Sequence, residues 1–150
     1  MDGPVIVRLK RVGENADLSL PRKMTVHSAG FDVCAAVRSS IVLQPGEIRL
    51  IPCGFAMALP EGFEAQMRPR SGLSSKHGIS MINTPGTIDS DYRGEVHVPL
   101  INLGQAPFTV ERGMRIAQMV IQKLPDVQVE EVEDLDETVR GSGGFGHTGH

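Results

Sequence analysis

The chain has 150 residues, a size that suits one domain, with 40% hydrophobic residues and a formal charge of −3. Its 17 Gly and 10 Pro interrupt any long helical period, which disfavours a helix bundle, and no apolar run reaches the length of a membrane span. The negative balance argues against a nucleic-acid coat, and two cysteines make neither a disulfide framework nor a zinc spacing. Met1-Asp2-Gly3-Pro4 has no basic stretch ahead of an apolar one, so a soluble, intracellular, cytoplasmic protein is expected, with Cys34 and Cys53 as buried thiols. The charge is unevenly spread. Seven of 18 acids lie between Asp126 and Glu137 with no Lys or Arg among them, so 11 acids face 15 basic residues elsewhere, a formal +4. An acidic chain can therefore hold a cationic pocket, which points to a small anionic ligand.

Val5, Val7 and Leu9 alternate with Ile6, Arg8 and Lys10 and predict a first strand, followed by a polar, turn-rich segment over 13–24. Ser28 to Ala36 gathers small residues that bring the backbone close to something, with Asp32 as its one carboxylate. Taken alone, Asp32 reads equally as a turn acid at a strand start. Ile41 to Leu43, the turn Gln44-Pro45-Gly46-Glu47 and then Ile48 to Leu59 predict strand, turn and long strand, and Pro60-Glu61-Gly62 turns the chain into Phe63 to Met67. These segments read as scaffold, with Met57 and Met67 filling core.

Residues 68–95 concentrate cations, small turn formers, three carboxylates and the chain's one tyrosine between apolar strands. Ser71 reads as a helix N-cap and Gly78 as the helix stop, with Gly72 leaving the backbone accessible. A helix start suits phosphate, and Arg68, Arg70 and Lys76 add charge around it. Pro85-Gly86 is a turn signal, so Ile82 to Val96 predicts a β-hairpin with a wide tip. Backbone groups near Asn83 and Ile88 at that tip could face a flat heterocycle, with Tyr92 packing on a sugar or base. A solvated loop is the plain alternative.

Val96, Val98 and Leu100 then resume alternation, with His97 expected on the outer face of a strand or satisfied in the core. Phe108 and Val110 extend the sheet. Arg115 to Gln122 reads as helix or strand, and its length, its β-branched content and the preceding Gly113 favour strand. The chain finishes with the acidic stretch and with Arg140 to His150, where glycines surround Phe145 and cannot pack alone. Extended at about 3.3 Å per residue, Pro125 to Val139 would span roughly 50 Å.

Five of these segments, in order, resemble the motifs of the trimeric dUTPase family. They are Ala29-Gly30-Phe31-Asp32-Val33; Pro69-Arg70-Ser71-Gly72-Leu73-Ser74; Gly86-Thr87-Ile88-Asp89-Ser90-Asp91-Tyr92-Arg93-Gly94-Glu95; Arg112-Gly113-Met114-Arg115-Ile116-Ala117-Gln118; and the glycine-rich end from Arg140. The resemblance implies an all-β, jelly-roll-like barrel with one short helix and a C-terminal arm exchanged between subunits. It divides the chain into a core over 1–124, an acidic extended linker over 125–139 and an arm over 140–150 that closes the active site. It implies hydrolysis of dUTP to dUMP and pyrophosphate by water attack on the α-phosphorus, which limits uracil in DNA and supplies dUMP. Arg70, Ser71, Gly72, Gln118 and Arg140 would then hold the phosphates, and Asp89, with Asp91 as rival, would activate water. Asn83, Ile88, Tyr92 and Phe145 would take the uracil and deoxyribose, and Asp32 would reach Mg2+ through water. A homotrimer with shared sites is the implied assembly, with neither nucleic acid nor membrane as partner. The rivals are a dCTP deaminase of the same fold, a non-catalytic nucleotide-binding homologue and a structural jelly-roll module. Met114, in place of a polar residue common in the family, is a minor departure.

Overall fold

The computed structural model describes residues 3–149; Met1 and Asp2 of the N-terminal tetrapeptide and His150, the last residue of the expected arm, lie outside the described residues. In chain order the elements are β1 (Arg8–Arg11), β2 (Phe31–Cys34), β3 (Ile41–Leu43), β4 (Ile48–Pro52), β5 (Phe55–Ala58), β6 (Phe63–Pro69), α1 (Ser71–His77), β7 (Ile79–Met81), β8 (Gly86–Ile88), β9 (His97–Asn102), β10 (Phe108–Val110) and β11 (Arg115–Lys123). The all-β, jelly-roll-like architecture with one short helix is as expected. No helix among the described residues is long and apolar enough to cross a membrane.

The strands pair antiparallel in four sheets: β2-β11-β6-β8, β4-β9-β7, β1-β5 and β3-β10. All four contribute to one core, in which Val33, Leu43, Ile51, Phe55, Met67, Ile79, Leu100, Val110 and Ile116 are sealed from solvent. Alternation explains the strands individually; in β6, Ala65 and Met67 point inward while Gln66 and Arg68 do not. Asn102 is the buried polar exception, and it is satisfied. Its Nδ2 donates to the Leu43 and Ala106 carbonyls, and its Oδ1 accepts from the Gly104 N–H.

Four local expectations need correction. The first strand begins at Arg8, leaving Val5 and Ile6 exposed ahead of it, because β5 offers partners only to Arg8 through Arg11. The long strand over 48–59 is broken at Cys53-Gly54, where Gly54 turns to a φ of 74° and the two halves join different sheets. The helix is capped by Arg70 and not by Ser71: Arg70 keeps the extended backbone of β6 while its carbonyl accepts the Ser74 N–H, so Ser71 is already helical. Gly78 does end the helix, at a φ of 68° and close against the backbone of Gly104. Finally, Ile82 to Val96 is no hairpin. β7 pairs with β9 and β8 with β6, so this segment carries the chain from one sheet to another.

Beyond β11 the described residues form no strand or helix. Residues 125–142 are exposed, and the glycine-rich end contains only local turns.

Candidate active site

The β2-β11-β6 sheet brings together residues far apart in sequence. Across β2 and β11, Asp32 stands opposite Gln118, and Gln118 is opposite Arg68 of β6, one step from the β6–α1 junction. There Asp32, Arg70, Ser71, Gly72 and Gln118 line one small hollow of about 190 Å³. These are five of the residues that sequence resemblance had nominated. Ser71, already helical, brings its hydroxyl-bearing side chain to this hollow at the start of α1.

Electrostatics set this cradle. Asp32 Oδ2 lies 3.1 Å from Arg115 Nη1, and Asp32 Oδ1 lies 3.8 Å from Arg70 Nε. Arg70 Nη1 also donates to the Arg115 carbonyl at 3.2 Å, and Gln118 Nε2 donates to the Pro69 carbonyl at 3.1 Å. One carboxylate is thus matched by two guanidiniums, a net positive surface for an anion. Arg115 was not among the nominated residues, although it lay within the fourth motif. Residues three apart on a strand face opposite sides, but the register shifts between Arg115 and Ala117, and this bulge turns Arg115 to the same side as Gln118. Arg68, by contrast, leaves the cradle and donates along its own strand to Gln66.

A second hollow of about 310 Å³ is lined by Leu50, Thr87, Ile88, Asp89, Tyr92, Glu95, Val96 and His97. β8 is the edge strand of its sheet, so its outward backbone groups have no ladder partner there. Asp89 begins the turn that follows, with the Tyr92 N–H donating to its carbonyl at 3.2 Å. The Tyr92 hydroxyl donates to the Glu95 carbonyl at 2.9 Å, which fixes the ring beside Gly94. Asp89 also borders an open concavity with Ser90, Asp91 and Arg93, and Asp91 lines only that one of the two. Asn83 is exposed over Gly86 and does not line the second hollow, because the chain crosses between sheets there instead of forming a hairpin tip.

The two hollows share no residue. Arg140 donates to the Gly143 carbonyl at 2.7 Å, and Phe145 is fully exposed at a φ of 53°, so the glycine-rich end joins neither hollow in this chain. Cys53 is buried as expected, whereas Cys34 is half-buried. Burial raises the pKa of Cys34 beside Asp32 and that of Cys53 in the core, which keeps both protonated at neutral pH. Among the described residues no cluster of three or more His, Cys, Asp or Glu could hold a metal ion by itself.

An all-β fold with a cationic, carboxylate-bearing cradle and a separate hollow walled by Leu50, Ile88, Tyr92 and Val96 as well as by Asp89, Glu95 and His97 belongs to a class suited to a small anionic ligand. The family model described as dUTPase matches residues 16–149, and the chain belongs to the dUTPase family. It is 58% identical, over 95% of its length and 96% of the relative's, to the deoxyuridine 5'-triphosphate nucleotidohydrolase of Rickettsia felis. It is 60% identical to that of Rickettsia canadensis, over 91% of this chain and 92% of the relative. A dUTPase of Staphylococcus bacteriophage 80alpha, solved with dUpNHpp, superposes with a TM-score of 0.86 at 25% identity, covering 97% of this chain and 99% of the other.

Proposed function

We propose that the two hollows are the phosphate and nucleoside parts of one composite site, in which this family member hydrolyses dUTP to dUMP and pyrophosphate. The observation that carries the reading is the convergence of Asp32, Arg70, Ser71, Gly72 and Gln118, from three separated segments, on one hollow. Hydrolysis of a triphosphate needs neutralised phosphate oxygens, a positioned water and a fixed orientation. Arg70, Ser71, Gly72 and Gln118 hold the phosphate chain. Arg70 is only loosely held by Asp32, so it can turn from that carboxylate to phosphate oxygens. Asp89 orients the water that attacks the α-phosphorus and takes its proton, since it borders the nucleoside hollow and Asp91 does not.

The free edge of β8 at Ile88 supplies the backbone pattern for uracil, with Asn83 at its approach, and Tyr92 packs against the deoxyribose where a 2′-hydroxyl would collide. Arg140 and Phe145 complete the site as a lid on phosphates and uracil. Asp32 is the residue that would hold Mg2+ through water; the ion, when bound, neutralises phosphate charge. Magnesium keeps several waters and takes phosphate oxygens, so a single carboxylate in the cradle suits it better than a closed protein cage would.

The separation of the hollows within one chain supports a homotrimer with shared sites, as does the outer face of β4. Ile48 and Leu50 are 49% and 63% exposed there, next to Ile82 at 55%. In register with Ile101 and Pro99 they form an apolar strip that runs into the nucleoside hollow at Leu50. A second copy of the chain covers this strip. On this reading the division of the chain holds as well: a core to residue 124, an acidic linker over 125–139 that reaches across to a neighbour, and a closing arm from Arg140. Its free cysteines fit a reducing compartment, and we place the reaction in the cytoplasm. Steady-state pyrophosphate release from dUTP beside UTP, dCTP and dTTP tests the proposal. Turnover confined to dUTP is expected, and ammonia release from dCTP or binding without turnover would overturn it.

A further inference from the structure

Two glycines stand where a side chain would collide with one recognition residue of each hollow. Gly30 stands in the bend just ahead of β2, two residues before Asp32, which pairs with Gln118 across the ladder. A Cβ at Gly30 would come within 2.6 Å of Gln118 Oε1, 3.1 Å of its Cβ and 3.4 Å of its Cδ. A Cβ at Gly94 would meet the Tyr92 hydroxyl oxygen, with Cζ at 2.7 Å and Cε2 at 3.1 Å. Neither glycine adopts a positive φ, so the backbone of neither demands glycine. The demand comes from the neighbouring side chain alone.

The two obstructed groups can yield without unfolding anything. The atom nearest Gly30 is the far end of a flexible glutamine, which would swing off the Pro69 carbonyl, while the closer-in Gln118 Cβ at 3.1 Å asks for a small backbone shift as well. The tyrosine ring is 45% exposed and can swing outward, at the cost of its bond to the Glu95 carbonyl. We infer that Gly30 and Gly94 are positioning residues: Gly30 leaves the space that holds the Gln118 amide in the phosphate cradle, and Gly94 leaves the space that holds Tyr92 against the sugar. The kinetic part of this inference rests on the dUTP-hydrolysing reading above.

The two substitutions should then fail in different ways. Gly30→Ala is expected to lower kcat/KM for dUTP about tenfold, as loss of one placed polar contact does, with the dUTP-over-UTP ratio unchanged. Gly94→Ala is expected to lower that ratio about tenfold, because the barrier to the 2′-hydroxyl moves away. Each effect should nearly vanish in a Gln118→Ala or Tyr92→Ala background, respectively. Two readouts need no nucleotide. The chain has one Tyr and no Trp, so its near-ultraviolet circular dichroism and the iodide quenching of its tyrosine emission report on Tyr92 with no second emitter. The side-chain amide resonances of Gln118, assigned by their loss in Gln118→Ala, report on the cradle.

A shifted tyrosine signal in Gly94→Ala and shifted amide resonances in Gly30→Ala, both at nearly unchanged Tm, are the expected results. Unmoved signals in either variant overturn the inference for that glycine. Loss of all activity in step with a large fall in Tm overturns it for both, since the glycines would then serve the scaffold. If the wild-type enzyme leaves dUTP intact, the functional reading fails while the two ligand-free readouts still decide the role of the glycines.

Discussion

Three adjoining strands and the start of α1 carry the cationic cradle, whereas the second hollow gathers the edge strand β8, the turn after it and single residues of β4 and β9. In the cradle, cross-strand pairing fixes Asp32 opposite Gln118, and two arginines share one carboxylate. The hollow is held by single contacts, such as the Tyr92 hydroxyl on the Glu95 carbonyl, and by the unpaired edge of β8. On the proposed reading, the difference matches what each ligand part requires. Phosphates need charge held at fixed points by a rigid ladder, while a base is read most finely by backbone groups that a sheet interior would already have used.

If the hollow holds the reacting water, Asp89→Asn should reduce kcat about 1,000-fold while dUTP affinity, measured by calorimetry, stays nearly unchanged. Unaltered turnover would transfer the base role to another group. The same variant tests the composite site. Trimers assembled from Asp89→Asn and Arg70→Ala chains together should recover activity that neither shows alone, and recovery would be absent if one chain supplied both hollows.

If the segment from Arg140 serves as a lid, ending the chain after Val139 should lower kcat/KM about 100-fold, because a lid shuts bulk water out of the site. The same truncation should move Tm by no more than about 2 °C, since that segment buries little. A large fall in Tm would make the segment scaffold.

Arg115→Ala sharpens the contrast from the cradle side. It removes the closer partner of Asp32 and should cost about tenfold in kcat/KM for dUTP, with binding of dUMP much less affected.

The smallest effect lies away from both hollows. Arg112 ties the 14–17 loop to the barrel through Asp17, Asn15 and the carbonyls of Glu14 and Val37. Its hydrogen bond lowers the pKa of Asp17 below the ordinary carboxylate value. A carboxyl depressed on folding adds stability above its unfolded pKa and loses it as pH falls through the folded pKa. Urea midpoints of wild type and Asp17→Asn should therefore differ slightly at neutral pH and converge in acid. The difference is small because Asp17 is exposed to solvent.

Much of the site was legible because its residue types are demanded by chemistry and sit in short contiguous runs. Arg70-Ser71-Gly72 and the turn from Asp89 to Tyr92 are of this kind, as are Asp32 and Gln118 within their motifs. Arg115 was overlooked for a physical reason. Strand periodicity turns it away from Gln118, and only the bulge, visible in the pairing of β11 with β2, turns it back. The small residues from Ser28 to Ala36 imply a close backbone approach, and at Gly30 the neighbour is the Gln118 amide.

The sequence by itself determined that this is a β-rich chain of one domain, where most strands begin and end, and which side chains could neutralise a triphosphate. Alternation and turn residues act over a few neighbours, so they can be read without knowing any partner. Only the tertiary structure decided that β7 and β8 belong to different sheets, that the chain breaks at Gly54, and that cradle and hollow are separate within one chain. Strand pairing is a choice among distant segments, made by how their apolar faces fill one common core, and no local pattern contains that information.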